Sequence, residues 1–358
     1  MQALNPVSLG IFTTGLLSRV LGVLAICATL GAAADQRITN ISTRGQVLTG
    51  DDVLIGGFII EGAAAKTVVL RARGPSLADA GVPGVLDDPD ITVYSGASQV
   101  DYNDNWESHD SADQIPPGLA PTHALEAAVV ITLDPGAYTA IVRGTGGGTG
   151  IGIVEVFETD HTSRLANLST RGNTGTGDNV MIAGIIVDGD GPKTVAVRGI
   201  GPSFANLPTP VPNELGNPEL TIFSGADAVD YNSNWQDHAR AQDVPARLMP
   251  TMSAEAAVVR TFSPGAYTAI LAGAGQSSGN ALVEIFELST GDLDYDLDGD
   301  INSADPDDDN DGFLDADDHH RLDQARAGDH DFDGEDSLTD TDDDNDGTPD
   351  LADASPLD

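Results

Sequence analysis

Arg37-Ile38-Thr39-Asn40-Ile41-Ser42-Thr43-Arg44-Gly45 returns 127 residues later as Arg164-Leu165-Ala166-Asn167-Leu168-Ser169-Thr170-Arg171-Gly172. Other blocks follow in the same order. Gly74-Pro75-Ser76 returns as Gly201-Pro202-Ser203, and Asp101-Tyr102-Asn103-Asp104-Asn105-Trp106 as Asp230-Tyr231-Asn232-Ser233-Asn234-Trp235. The stretch from Pro135 to Ile141 returns as Pro264 to Ile270, and Val154 to Glu158 as Val283 to Glu287. The offset grows from 127 to 129, so two residues are inserted between Leu207 and Pro218. This period is far longer than a solenoid unit. Each copy is large enough to be a domain with its own core, with boundaries at 35–161 and 162–290.

Within a copy, short runs rich in Val, Ile, Thr and Tyr are punctuated by Gly, Pro, Asn and Asp, which is the pattern of strands and turns. The runs Val53–Ile60, Thr67–Arg73, Ile91–Ser95, Ala127–Leu133, Ala137–Arg143 and Ile151–Glu158 read as strands. Alternation places Tyr138, Ala140 and Val142 on one face. The last two runs are spaced for a hairpin across Gly144–Gly150, and Ala124–Val130 alternatively begins as a helical turn. The expected fold is all-β: two tandem β-sandwich domains, jelly-roll-like, followed by an irregular acidic repeat tail stabilised by calcium.

Both copies resemble a repeat found in secreted proteins of environmental bacteria. The resemblance rests on Asn-x-Ser-Thr-Arg-Gly, Thr-Gly-Asp, Lys-Thr-Val, Gly-Pro-Ser, Asn-x-Asn-Trp and Pro-Gly-Ala-Tyr-Thr-Ala, and covers residues 37–288. It implies an extracellular β-sandwich module and no particular reaction or ligand.

The chain of 358 residues has a formal net charge of -41, which argues against nucleic acid or an anionic membrane as partner. Much of that charge is at one end, where residues 292–358 hold 26 Asp and one Glu against two Arg. The first 34 residues have the form of an export signal. Arg19 precedes the apolar stretch Val20 to Gly31, and Ala32-Ala33-Ala34 gives the small-residue pattern for cleavage after Ala34. The other reading is a membrane anchor, which residues 20–34 alone are too short to form. The single cysteine, Cys27, lies in this segment, so a mature chain has no disulfide and no membrane span.

Inside the repeats, Asn103-Asp104-Asn105-Trp106 combines oxygen ligands with an aromatic residue, as a calcium or sugar contact does. An Asx-rich turn with Trp106 at the core edge explains the same residues, and Ser233 in place of Asp104 weakens a shared metal role. His109 and His238 match, but neither has a second His or Cys at ligand spacing. Arg44, Arg171, Arg73 and Arg198 suit buried pairing with Glu126 and Glu255, or with Glu155 and Glu284. Ser76 and Ser203 lack a nucleophile-elbow context, and Gly144–Gly150 lacks the ending of a phosphate loop. The chain reads as a non-enzyme.

The tail carries the strongest motif. Four segments follow D-x-D-x-D-G, then a backbone position, then oxygen side chains at positions 9 and 12. The first uses Asp294, Asp296, Asp298, Asp300, Asn302 and Asp305, and the second Asp307, Asp309, Asp311, Phe313, Asp315 and Asp318. The third uses Asp329, Asp331, Asp333, Glu335, Ser337 and Asp340, and the fourth Asp342, Asp344, Asp346, Thr348, Asp350 and Asp353. Calcium takes six to eight oxygens in irregular geometry, and Gly at position 6 permits the curl that brings positions 1, 3 and 5 together. One residue separates the first loop from the second (Pro306) and the third from the fourth (Thr341), so no helix fits between them and EF-hands are excluded. The alternating short and long spacing over residues 292–354 resembles thrombospondin type 3 calcium repeats. A disordered acidic spacer is the competing reading, and the two merge if binding and folding are coupled.

These features point to a secreted or cell-surface calcium-binding structural protein of adhesion type. Its expected partners are calcium ions and a cell-envelope component or an extracellular polymer or protein. The alternative is a carbohydrate-binding accessory protein of a secreted hydrolase system, which exposed aromatics near Trp106 and Trp235 would favour.

Overall fold

The computed structural model describes residues 37–160, 163–189, 191–288, 305–308, 310, 312–314, 337, 339–343 and 348–352. The expected signal segment, residues 1–34, lies outside them. The described residues form sixteen strands with short 3-10 turns and no α-helix, and every strand pairing is antiparallel. No helix among them is long and apolar enough to cross a membrane.

The first copy supplies β1 (Arg37–Val47), β2 (Leu54–Glu61), β3 (Lys66–Arg73), β4 (Pro89–Ser95), β5 (Ser98–Asn103), β6 (Ala127–Leu133), β7 (Gly136–Gly144) and β8 (Gly150–Glu158). The second supplies their counterparts β9 (Arg164–Thr174), β10 (Met181–Asp188), β11 (Lys193–Ile200), β12 (Pro218–Ser224), β13 (Asp227–Asn232), β14 (Ala256–Phe262), β15 (Gly265–Gly273) and β16 (Gly279–Glu287). Tyr138, Ala140 and Val142 do face the core together.

The strands join in two orders. One sheet runs β6-β3-β8-β1-β10-β15-β12-β13. The other runs β14-β11-β16-β9-β2-β7-β4-β5. Each sheet therefore takes four strands from each copy. β1 and β9 also touch at one pair, Gln46 and Asn173. The sheets pack face to face as a sandwich, with β3, β6 and β8 of the first copy over β4, β5, β7 and β2.

The copies differ here from the expectation of separate cores. One continuous cluster runs from Phe58, Leu70 and Val156 to Ile185, Val197 and Ile285. A single copy would leave β1 and β2 as open edges with unpaired backbone groups, which is a liability for any sheet. The second copy covers both edges: β10 pairs with β1, and β9 with β2. The glycines that end the repeated block make this approach possible. A Cβ on Gly45 or Gly172 would meet Leu54 Cδ1 at 3.0 or 2.8 Å.

The hairpin expected across Gly144–Gly150 does not form. β7 pairs with β2 and β4, and β8 with β1 and β3, so this loop carries the chain from one sheet to the other. Both strands already have two partners, which leaves them no free edge for each other. Residues 127–133 form a strand from their start, and the helical alternative at Ala124–Val130 is not adopted.

Candidate functional site

The loop between β5 and β6 folds back over the outer face of β3, β6 and β8. Ile115 and Leu119 from the loop pack with Val69, Ala128 and Phe157 as a small second core, with Trp106 and Ala120 against it. A row of paired residues crosses the sheet beneath: Gly184 on β10, Ser42 on β1, Glu155 on β8, Arg71 on β3 and Ala128 on β6. Arg71 fastens the loop to this row. Its Nε and Nη2 reach Glu155 Oε2 at 2.8 and 2.7 Å, its Nη1 donates to the Leu119 carbonyl at 2.7 Å, and its guanidinium stacks 4.6 Å from the Phe157 ring.

Beside this clamp is a cavity of about 190 Å³, lined by Arg71, Arg73 and Glu155, by Asn40 and Ser42 on β1, by Ile186 on β10, and by loop residues 117–122. Arg73 donates through Nε and Nη2 to Ser76 Oγ at 3.1 and 2.7 Å. It also lies 3.7 Å from Glu126 Oε2 and 3.9 Å from Glu155 Oε1. The fully buried Glu126 accepts the Gly74 and Ser76 N–H groups and the Ser76 hydroxyl, all on Oε1. Ser76 is thus a structural hinge of the Gly-Pro-Ser turn.

Sequence matching had set Arg73 beside Arg198. In three dimensions the counterpart of Arg198 is Arg71: Arg198 pairs with Glu284 and stacks 5.0 Å from Phe286. Ile200 stands where the first copy has Arg73. Burial pushes the Glu284 carboxyl above its ordinary range, against the opposing charge of Arg198. Arg44 and Arg171 take no glutamate. Each reaches across to the Thr-Gly-Asp turn of the other copy, Arg44 to the Asp178 carbonyl at 2.8 Å and Arg171 to the Asp51 carbonyl at 3.0 Å.

The Asn103–Trp106 turn is consumed by the fold. Asn103 donates to the Asn105 carbonyl at 3.0 Å and accepts the Ala128 N–H at 2.9 Å. Asn232 repeats this with Asn234 and Ala257. Trp106 and Trp235 are half-buried, while the aromatic neighbours Tyr102 and Tyr231 are 46% and 50% exposed. His109 and His238 each place Nε2 3.0 Å from an aspartate, Asp101 and Asp230. They brace the β5–β6 and β13–β14 connections.

Of the tail residues in the calcium template, Asp305, Asp307, Phe313, Ser337, Asp340, Asp342, Thr348 and Asp350 are described. Asp294, Asp296, Asp298, Asp300, Asn302, Asp309, Asp311, Asp315, Asp318, Asp329, Asp331, Asp333, Glu335, Asp344, Asp346 and Asp353 lie outside the described residues. Among the described residues, no three His, Cys, Asp or Glu side chains gather at metal-holding distance.

The described pieces form repeated turns. Asp305, last in the first loop, accepts the N–H of Asp307 at 3.0 Å, and Asp340, last in the third, accepts that of Asp342 at 3.2 Å. These are Asx turns, which a short side chain makes and a glutamate does not. They give a reason for Asp rather than Glu at position 12. In the second loop, Asp307 Oδ2 accepts the Gly312 N–H at 3.2 Å, and Gly312 sits at φ 103°, open to glycine. Asp307 Oδ1 is buried with no hydrogen-bond partner among the described residues.

No family model matches the chain, and no curated protein matches it. Solved structures give distant similarities. The major capsid protein P2 of bacteriophage PM2 is 8% identical with a TM-score of 0.18, covering 71% of this chain and 98% of that one. The STIV MCP is 15% identical with a TM-score of 0.17, covering 72% and 92%. A DUF4785 family protein of Legionella pneumophila is 10% identical with a TM-score of 0.18, covering 75% and 87%.

Proposed function

We propose that this chain is a secreted or cell-surface calcium-binding structural protein of adhesion type. The acidic tail is a calcium-stiffened spacer, and the sheet body is the part presented to an envelope component or an extracellular polymer or protein. The observation that carries the reading is Asp307. One carboxylate oxygen closes its loop on Gly312, and the other is buried without a partner among the described residues. A buried carboxylate oxygen with nothing to bond is costly, and a hard divalent cation satisfies it. Asp307, Asp309, Asp311, Asp315 and Asp318, with the Phe313 carbonyl, would hold the ion in this loop. Bound calcium supplies charge neutralisation here and no reaction. The 26 Asp of residues 292–358 repel one another without it.

Hydrogen exchange of the full chain, read by mass spectrometry in calcium chloride, magnesium chloride and EGTA, tests this. Exchange across residues 289–358 is expected to slow in calcium alone, while the strands between residues 37 and 287 exchange alike in all three. Identical tail exchange in several millimolar calcium and in EGTA overturns the proposal, as does equal protection by magnesium.

A further inference from the structure

The cavity beside the Arg71–Glu155 clamp has hydrogen-bonding capacity that the fold leaves unused. Asn40 and Ser42 line it and are 7% and 9% exposed, yet neither side chain has a hydrogen-bond partner among the described residues. Arg73 Nη1 and Glu155 Oε1 have only each other, at 3.9 Å, beyond hydrogen-bonding distance. A carboxamide, a hydroxyl, a guanidinium nitrogen and a carboxylate oxygen therefore border one small space, where Arg71 and Thr122 add polar groups and Pro117, Leu119, Ala120, Pro121 and Ile186 form an apolar wall.

We propose that this cavity binds one neutral sugar unit, a hexopyranose ring. Two guanidinium groups are balanced there by two carboxylates, Glu155 and Glu126. An anionic ligand would gain from Arg73 and lose against the glutamates. Hydroxyl groups both donate and accept, so adjacent hydroxyls on a ring satisfy Asn40, Ser42, Arg73 and Glu155 together. The C–H face of the ring then lies on the proline and leucine wall, the usual division between apolar lining and a few orienting polar groups. A cavity of about 190 Å³ is below the roughly 300–1,000 Å³ of drug-sized sites, which suits one ring and not a chain.

The site spans the seam between the copies, because β1 and β10 both contribute. The second copy keeps Asn167, Ser169, Arg198, Glu284 and Phe286 at the matching positions, but it has Ile200 for Arg73 and Arg247 for Gly118. One binding site per chain is expected.

The test is calorimetric titration of the full chain with D-glucose, D-galactose, D-mannose, D-glucuronate and inorganic phosphate, together with retention on immobilised neutral oligosaccharides. Two variants serve as controls for the cavity. Arg73→Ile copies the residue that the second copy tolerates over Glu255. Gly118→Arg places a side chain where a Cβ has no atom within 4 Å. Saturable binding of a neutral hexose or a neutral glycan end is expected, weakened about tenfold or more in both variants, while the thermal unfolding of the Gly118→Arg variant matches that of the parent. Tighter binding of the glycan than of the free sugar identifies a chain end as the ligand, and equal binding identifies the free sugar. No neutral sugar bound in either format overturns the proposal. So does binding that both variants leave intact, or binding of glucuronate or phosphate alone.

Discussion

The two copies are equivalent where they meet and different where they face outward. At the seam, Ile38 N–H of the first copy donates to Glu287 of the second, and Leu165 N–H of the second donates to Glu158 of the first. Arg44 and Arg171 cross in the same reciprocal way, and Thr43 and Thr170 bond to each other at 2.8 Å, both fully buried. A change on one side of such a seam must be answered by a neighbour in the other copy. The outer faces carry no such constraint, and there Arg73 stands against Ile200 and Gly118 against Arg247. Duplication built one body, and the freedom to specialise was left at its surface.

The sharpest way to break this comparison lies at the matching lysines. Lys66 is fully buried, and its Nζ donates to the Asp160 and Ser163 carbonyls at 2.7 Å each, with Glu158 at 3.5 Å. Burial pushes the Glu158 carboxyl up, and the Leu165 N–H, Lys66 and Arg37 oppose that shift. Lys193 is 14% exposed and among the described residues has one ion-pair partner, Glu287 at 2.6 Å. Lys66→Met strands a buried carboxylate and two carbonyls, so it is expected to cost about 3–5 kcal/mol. Lys193→Met is expected to cost about 1–3 kcal/mol. Urea unfolding measures both. Because the copies share two sheets and one core, each variant is expected to shift a single transition of residues 37–287. Equal losses would show that the two lysines are equivalent, and two separate transitions that the copies are independent after all.

Much of the body was legible in the sequence, and the illegible part has a physical cause. β3, β4, β6 and β8 stand within two residues of their expected ends, because each alternates or runs apolar between Gly, Pro or Asp breaks. β5 was not expected: Ser98-Gln99-Val100-Asp101-Tyr102-Asn103 is mostly exposed on an edge and has no apolar face to announce it. The wrong hairpin at Gly144–Gly150 and the separate cores share one origin. Alternation marks which residues turn inward but not which strand lies alongside, and it is the pairings of β1 with β10 and of β2 with β9 that join the copies. The cavity was invisible for the same reason. Asn40, Arg73, Leu119 and Ile186 come together across three strands and a loop, and no spacing in the chain relates them. Arg73 did carry one readable signal: once the copies are matched through Gly74 and Gly201, Ile200 falls opposite it. The proposed calcium loops of the tail are the reverse case, since their template is written in consecutive residues.

A smaller effect sharpens the equivalence at the seam. Thr170→Val leaves the buried Thr43 hydroxyl without a partner, and Thr43→Val does the same to Thr170. Each is expected to cost about 1–3 kcal/mol, while replacing both together is expected to be nearly neutral. The pair must therefore show a coupling close to the sum of the two single-variant costs. Losses that simply add in the double variant would mean that the two hydroxyls do not depend on each other, and the reciprocal seam would lose its central contact.

The smallest effect belongs to the ends of the sandwich, where β5 meets β6 and β13 meets β14. Asp230 is partly buried, which disfavours its ionised form, but the His238 and Arg260 side chains and the Tyr231 N–H outweigh that and hold its carboxyl below the ordinary value of 3.8. Asp101 has the matching His109 and Tyr102 N–H contacts, but Ile131 stands where the second copy has Arg260. A carboxyl held low favours the folded state when ionised. Its contribution is therefore fully present above the ordinary aspartate range and is lost as pH falls through the lowered value. Asp230→Asn is expected to cost under about 1 kcal/mol at neutral pH, since Arg260 is well exposed. Asp101→Asn is expected to cost less. The gap between the two melting temperatures should narrow as pH is lowered from about 7 toward about 3. A gap that stays constant over that range would place the difference between the copies in packing and not in charge.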